Sequence, residues 1–120
     1  MLDLGIGNIL SVRVAGNVIG DKSLGSIEYG VVIAGVKLVL VLGHTRCGAV
    51  RSTVDLLAGN TDSIHAADCP YLDSIVEELE PCVDHKICQG LSQMNSADQE
   101  AFLDEVARKN VLRSVHEILE

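Results

Sequence analysis

The run Val36-Lys37-Leu38-Val39-Leu40-Val41-Leu42 passes directly into Gly43-His44-Thr45-Arg46-Cys47-Gly48. Its first seven residues are nearly all aliphatic, the pattern of a strand buried on both faces. Upstream, residues 8–15 (Asn-Ile-Leu-Ser-Val-Arg-Val-Ala) read as a second strand, broken by Gly16-Asn17. Between the two, Leu24, Ile27, Val31 and Ala34 recur at steps of three and four, which predicts a helix over residues 23–35. Ser23 or Ser26 would cap its start, and Gly35 stands where a left-handed C-terminal residue belongs. Strand, helix and buried strand make a βαβ unit with a right-handed crossover. The fold class expected is therefore α/β, with a parallel sheet and flanking helices. In open α/β sheets functional groups collect at the C-terminal strand ends, where the hexapeptide from Gly43 lies.

Downstream the pattern becomes helical. Residues 49–57 begin another helix, stopped by Gly59-Asn60, and residues 59–68 read as a polar loop. A helix is expected over residues 71–79, with Pro70 in its first turn and Pro81 ending it. Ser96-Ala97-Asp98-Gln99 matches a capping box, Ser at N-cap and Gln at N3. It opens a long amphipathic helix with Phe102, Leu103, Val106, Val111, Val115, Ile118 and Leu119 on or near one face. Two strands against four or five helices make a poor sheet, so the sheet of this chain is expected to be incomplete.

Composition narrows the function. The 120 residues suit a single domain over residues 1–120, and 48% hydrophobic content supports a core. Tyr29, Tyr71 and Phe102 are the only aromatics, so the core is aliphatic and no base-stacking platform exists. Nine Lys and Arg against seventeen Asp and Glu give a net charge of −8, which argues against nucleic-acid binding. The run Glu77-Glu78-Leu79-Glu80 reads as a solvated helix face. Neither a membrane-spanning run nor a signal-peptide core is present, so a cytoplasmic protein is expected. Cys47, Cys69, Cys82 and Cys88 are then free thiols or metal ligands rather than disulfides.

His44-x-x-Cys47 puts an imidazole and a thiol in one tight turn, and zinc accepts both ligand types. Gly43 and Gly48 let the backbone fold closely around such a centre. Three blocks supply the context. Ser11-Val12-Arg13-Val14-Ala15-Gly16-Asn17, Leu24-Gly25-Ser26-Ile27-Glu28-Tyr29 and Val39-Leu40-Val41-Leu42-Gly43-His44-Thr45-Arg46-Cys47-Gly48-Ala49-Val50 together resemble the β-class carbonic anhydrases in order and interval. The clear match runs over residues 2–57.

The resemblance implies a zinc enzyme interconverting carbon dioxide and bicarbonate, a homo-oligomer of two or more subunits. In that family Zn2+ is held by Cys, His and Cys with a water or hydroxide in the fourth position. The His and second Cys carry over to His44 and Cys47. Zinc-bound hydroxide attacks carbon dioxide, and no side chain of this chain is assigned a catalytic role. Ala15, Gly16, Asn17 and Gly48 fall on the active-site wall. The first cysteine of the family lies in a Cys-x-Asp-x-Arg motif upstream of the segment matching Leu2-Asp3-Leu4-Gly5, on a strand between the two strands read here. That cysteine, aspartate and arginine have no counterpart in the match. Cys69, Cys82, Cys88, His65 and His85 are the other available donors, none at a family ligand position. The expectation is an incomplete zinc site with little activity; the alternative is an inactive carbonic anhydrase-like fragment acting as an oligomerisation or interaction module.

Overall fold

A computed structural model describes residues 3–59 and 69–120. Among the described residues five α-helices follow one another: α1 (Asp21–Glu28), α2 (Gly48–Leu57), α3 (Asp73–Leu79), α4 (His85–Gln89) and α5 (Ser96–Leu119). A short 3-10 turn, Ala15–Asn17, precedes α1, and two more, Glu80–Cys82 and Leu91–Gln93, link α3 to α4 and α4 to α5. The loop expected over residues 59–68 falls, apart from Gly59, outside the described residues.

The parallel sheet is not there. Among the described residues no strand forms, and residues 8–14 and 36–42 have no regular structure. A strand exists only through a ladder with a neighbour. No backbone hydrogen bond joins these two segments, or either one to a distant described residue. The resemblance puts another strand between them, and the described residues supply no such strand. The aliphatic side chains consequently stay in water, Leu38 at 79% exposure and Leu40 at 58%. The radius of gyration, 16.0 Å, exceeds the ~14 Å of a compact domain of this length. The α/β expectation is corrected to an all-helical arrangement of the described residues.

The helical expectations fare better, with shifted ends. The helix read over residues 23–35 starts earlier, at Asp21, and its last turn widens into a π-helical turn, Tyr29–Ile33. There the Ala34 N–H donates to Tyr29 O at 3.1 Å and the Val36 N–H to Gly30 O at 2.9 Å. Gly35 takes φ +75°, the left-handed stop that its position suggested. Helix α5 begins at Ser96, but its N-cap is Asn95, whose Oδ1 accepts from the Asp98 N–H at 2.8 Å. Asn and Ser cap about equally well. Gln99, the expected capping-box partner, instead donates to Leu91 O and Met94 O and ties off the preceding 3-10 turn.

The core lies among α2, α3, α4 and α5. Val50, Val54, Leu79, Cys82, Cys88 and Val106 are its most buried apolar members. The expected apolar face of α5 is only half right. Phe102, Leu103 and Val106 are buried, whereas Val115 is 38% exposed and Leu119 79%. From Val106 onward the buried positions are Asn110 and Ser114, so the face turns polar where it meets the site. The acidic run is not a purely solvated face either. Leu79 is fully buried, and Arg113 donates to the Glu78 carbonyl while its Nη2 lies 3.1 Å from the Glu78 carboxylate. The Glu78 contacts fasten α3 to α5, and within α5 the same guanidinium meets Glu117 at 2.9 Å.

Candidate metal-ligand turn

Three backbone segments converge on one stretch of α5. The first is the Ala15–Asn17 turn. Gly16 is buried at φ +74°, and a Cβ there would lie 3.1 Å from Leu79 Cδ1 and 3.3 Å from both Ala49 Cβ and Ile75 Cγ2. Only glycine meets both demands. The second is Gly43, where a Cβ would stand 2.6 Å from Val111 Cγ2. The third is Cys47, the N-cap residue of α2, whose carbonyl accepts from the Arg51 N–H. Arg51 also pairs with Glu100 of α5.

Asn110 binds the first segment to the helix. It is 3% exposed, and its Nδ2 donates to Gly16 O at 2.8 Å and Asn17 O at 3.0 Å. Asn17 itself sits at φ +51°, a conformation asparagine tolerates better than most residues. A cavity of about 10 Å³ remains between the segments, lined in part by Gly16, Asn17, His44, Cys47 and Asn110. That is room for about one water. A shallower groove of about 280 Å³ adjoins it, sharing Gly43, His44 and Ala107 and adding Thr45, Asp104, Arg108 and Val111.

The two sequence-derived donors meet at this cavity. His44 Nδ1 lies 2.8 Å from Thr45 O. A carbonyl only accepts, so this contact is a hydrogen bond when Nδ1 carries the proton, which in the neutral ring leaves the lone pair on Nε2. This is the arrangement of a metal-ligating histidine oriented by a backbone carbonyl. Cys47 is half-buried, makes no side-chain cap, and is a free thiol. Arg46 between them is exposed at φ +54°. Of the wall residues, Gly16 and Asn17 line the cavity; Ala15 and Gly48 are exposed and do not.

The donor set is right in kind and short in number. Catalytic zinc sites use three protein ligands and structural ones four. Among the described residues no group of three His, Cys, Asp or Glu side chains is placed to hold a metal ion. One string approximates the missing motif, Cys82-Val83-Asp84-His85-Lys86, with Lys where the family has Arg. It is committed elsewhere. Cys82 is a 4%-exposed member of the core whose thiol is pushed up by burial, against a smaller opposing pull from Arg113. Asp84 caps α4 by accepting from the Lys86 and Ile87 N–H groups. Cys88 is fully buried, its Sγ donating to Val54 O at 3.4 Å, and burial raises that thiol as well. Cys69 is exposed, His85 lies 3.7 Å from Glu80, and His65 falls outside the described residues. The residues described do not complete a zinc site.

Asn110 was not singled out in the sequence. Its signal was spacing: Leu103, Val106, Asn110 and Ser114 follow at three, four and four, the period of a buried face. A carboxamide on such a face needs partners, and the Gly16 and Asn17 carbonyls are those partners.

Comparison with known proteins gives this geometry a family. The family model described as carbonic anhydrase matches residues 1–120. Carbonic anhydrase 2 of Mycobacterium tuberculosis is 37% identical over 107 residues, covering 89% of this chain and 49% of that protein. The carbonic anhydrase of Mycolicibacterium smegmatis is 37% identical over 109 residues, covering 90% and 50%. That of Helicobacter pylori is 31% identical over 83 residues, covering 62% and 36%. This chain thus spans about half the length of the mycobacterial relatives or less of the third. No solved structure matches it significantly. The chain belongs to the carbonic anhydrase family.

Proposed function

We propose that the reaction to which this chain is adapted is the reversible hydration of carbon dioxide to bicarbonate, with His44 Nε2 and Cys47 Sγ as two protein ligands of a zinc ion. The observation that carries the reading is the Nδ1–Thr45 O contact, which leaves Nε2 as the open nitrogen of a ring bordering the same cavity as the Cys47 thiol. A complete zinc centre supplies a hydroxide nucleophile at neutral pH. Because the described residues provide two ligands, no step through the metal is assigned to them. Long aliphatic side chains left in water, Leu38 and Leu40 foremost, support association with further copies of the chain. Free thiols support a reducing, cytoplasmic setting. No helix among the described residues is long and apolar enough to cross a membrane.

Zinc per chain tests the reading. After dialysis against a mild chelator, the 120-residue chain is expected to hold well under one zinc and to show negligible hydratase activity. A value near one that disappears in His44→Ala would refute the two-ligand account and require a further donor.

A further inference from the structure

Asn17 has an unmet need in the site. Its Nδ2 is buried with no hydrogen-bond partner, the one such side-chain atom found among the described residues. Its own carbonyl is taken by Asn110, whose amide hydrogens go to Gly16 O and Asn17 O. Asn110 therefore holds Asn17 in place through its Nδ2, and its Oδ1 makes no hydrogen bond to the Asn17 Nδ2. A buried N–H without an acceptor costs ~1–3 kcal/mol, so a folded chain is expected to fill that position when an acceptor of the right size is available. The cavity that Asn17 lines has room for about one water and also borders His44 and Cys47. A larger molecule could place one atom there only if the rest of it lay in the adjoining groove beside Thr45 and Arg108.

We propose that Asn17 donates a hydrogen bond to a single oxygen, that of a water or one oxygen of bicarbonate, lodged beside His44 and Cys47, and that Asn110 is the positioning residue that aims it. The naming of bicarbonate rests on the function proposed above; the donor role rests on the orphaned Nδ2 and the cavity alone. Bicarbonate is the anion that can reach from cavity to groove, and water is the ligand that fits the cavity by itself.

The side-chain amide signals of the uniformly 15N-labelled chain, without metal, provide the test. The Asn17 carboxamide is expected to exchange with solvent at least about tenfold more slowly than that of exposed Asn8. A saturable shift of the Asn17 signals with sodium bicarbonate, absent with sodium chloride at equal ionic strength and pH, assigns the oxygen to the anion. Slow exchange without that shift assigns it to water when the Asn17 amide also shows a cross-relaxation peak to a bound water, and overturns the proposal when it does not. Exchange as fast as Asn8 with no response to bicarbonate overturns the proposal, with no variant required. Asn110→Ala, if its helical circular dichroism is retained, is expected to abolish the slowing; Phe102→Leu, two turns away on α5, is expected to leave it. An unchanged Asn17 in Asn110→Ala would overturn the positioning role. A cobalt–thiolate absorption band that requires His44 and Cys47 reads the metal proposal separately. That band with a fast, unresponsive Asn17 sinks the donor and spares the metal ligands, and the reverse result does the opposite.

Discussion

Gly16→Ala is the substitution that asks most of this structure. Gly16 is buried at φ +74°, where a side chain costs ~1–2 kcal/mol in backbone strain alone. Its new Cβ would face Leu79 Cδ1 at 3.1 Å, with Ala49 and Ile75 each at 3.3 Å. Leu79 is fully buried and has no solvent to swing into, so crowding adds ~1–2 kcal/mol. The sum, ~2–4 kcal/mol, is a large share of the ~5–15 kcal/mol that holds a domain folded. At ~2.1 cal/mol/K per residue over 120 residues, the melting temperature should fall by roughly 8–16 °C. Thermal melts followed by far-UV circular dichroism measure it, and urea melts give the free-energy loss, with Gly25→Ala as the control. Gly25 is in α1 with nothing within 4 Å of its Cβ position, and that change should stabilise by ~0.5–1 kcal/mol. The Gly16 carbonyl is also an acceptor for Asn110, so Cys47 should alkylate faster in Gly16→Ala. A loss under ~1 kcal/mol, or a loss equal in both variants, would refute the packing of the 15–17 turn on α2 and α3.

Two further outcomes follow from the thiols and the exposed aliphatic run. Cys82 and Cys88 have folded-state pKa values raised above 9.0 by burial, so the native chain keeps protons that the unfolded chain releases. Their contribution to stability is fully present below pH 9 and is lost as pH rises through the raised values; urea midpoints that stay flat from neutral pH into the alkaline range would contradict it. Leu40 is 58% exposed, and Leu40→Lys is expected to lower the mass measured by sedimentation at high concentration; a parent chain that is monomeric at every concentration removes the basis for association through this run.

What the sequence made legible was local. Gly35 and Gly59 end their helical segments at φ +75° and +83°, because a left-handed stop depends on neighbours along the chain. The 3.6-residue period located the helix that begins as α1, and the cap pattern the start of α5, for the same reason. The strands were misjudged because a run such as Val36 to Leu42 states only that its side chains avoid water, not that a partner is at hand to form the ladder. In the site, His44 and Cys47 were legible from their spacing and their blocks. Asn110 was not, since its partners lie 94 and 93 residues away.

The site occupies the seam between two unlike parts of the chain. From Val50 onward, helices bury their apolar side chains in one another, and every residue of the core cluster lies there. Before Val50, long aliphatic side chains remain in water and few backbone groups find distant partners. Besides the packing of Gly16 on Leu79 and Ile75, two attachments from α5 hold the second part to the first at this point: Asn110 grips Gly16 and Asn17, and Val111 packs on Gly43. Both come from adjacent residues of α5, so the helix that closes the core also sets the spacing between the Asn17 amide and the His44 turn. A metal or oxygen ligand binding there would tie the 15–17 turn, the His44 turn and the start of α2 together. Such a ligand binds the folded arrangement and not the unfolded chain, so its affinity adds directly to the stability of this seam.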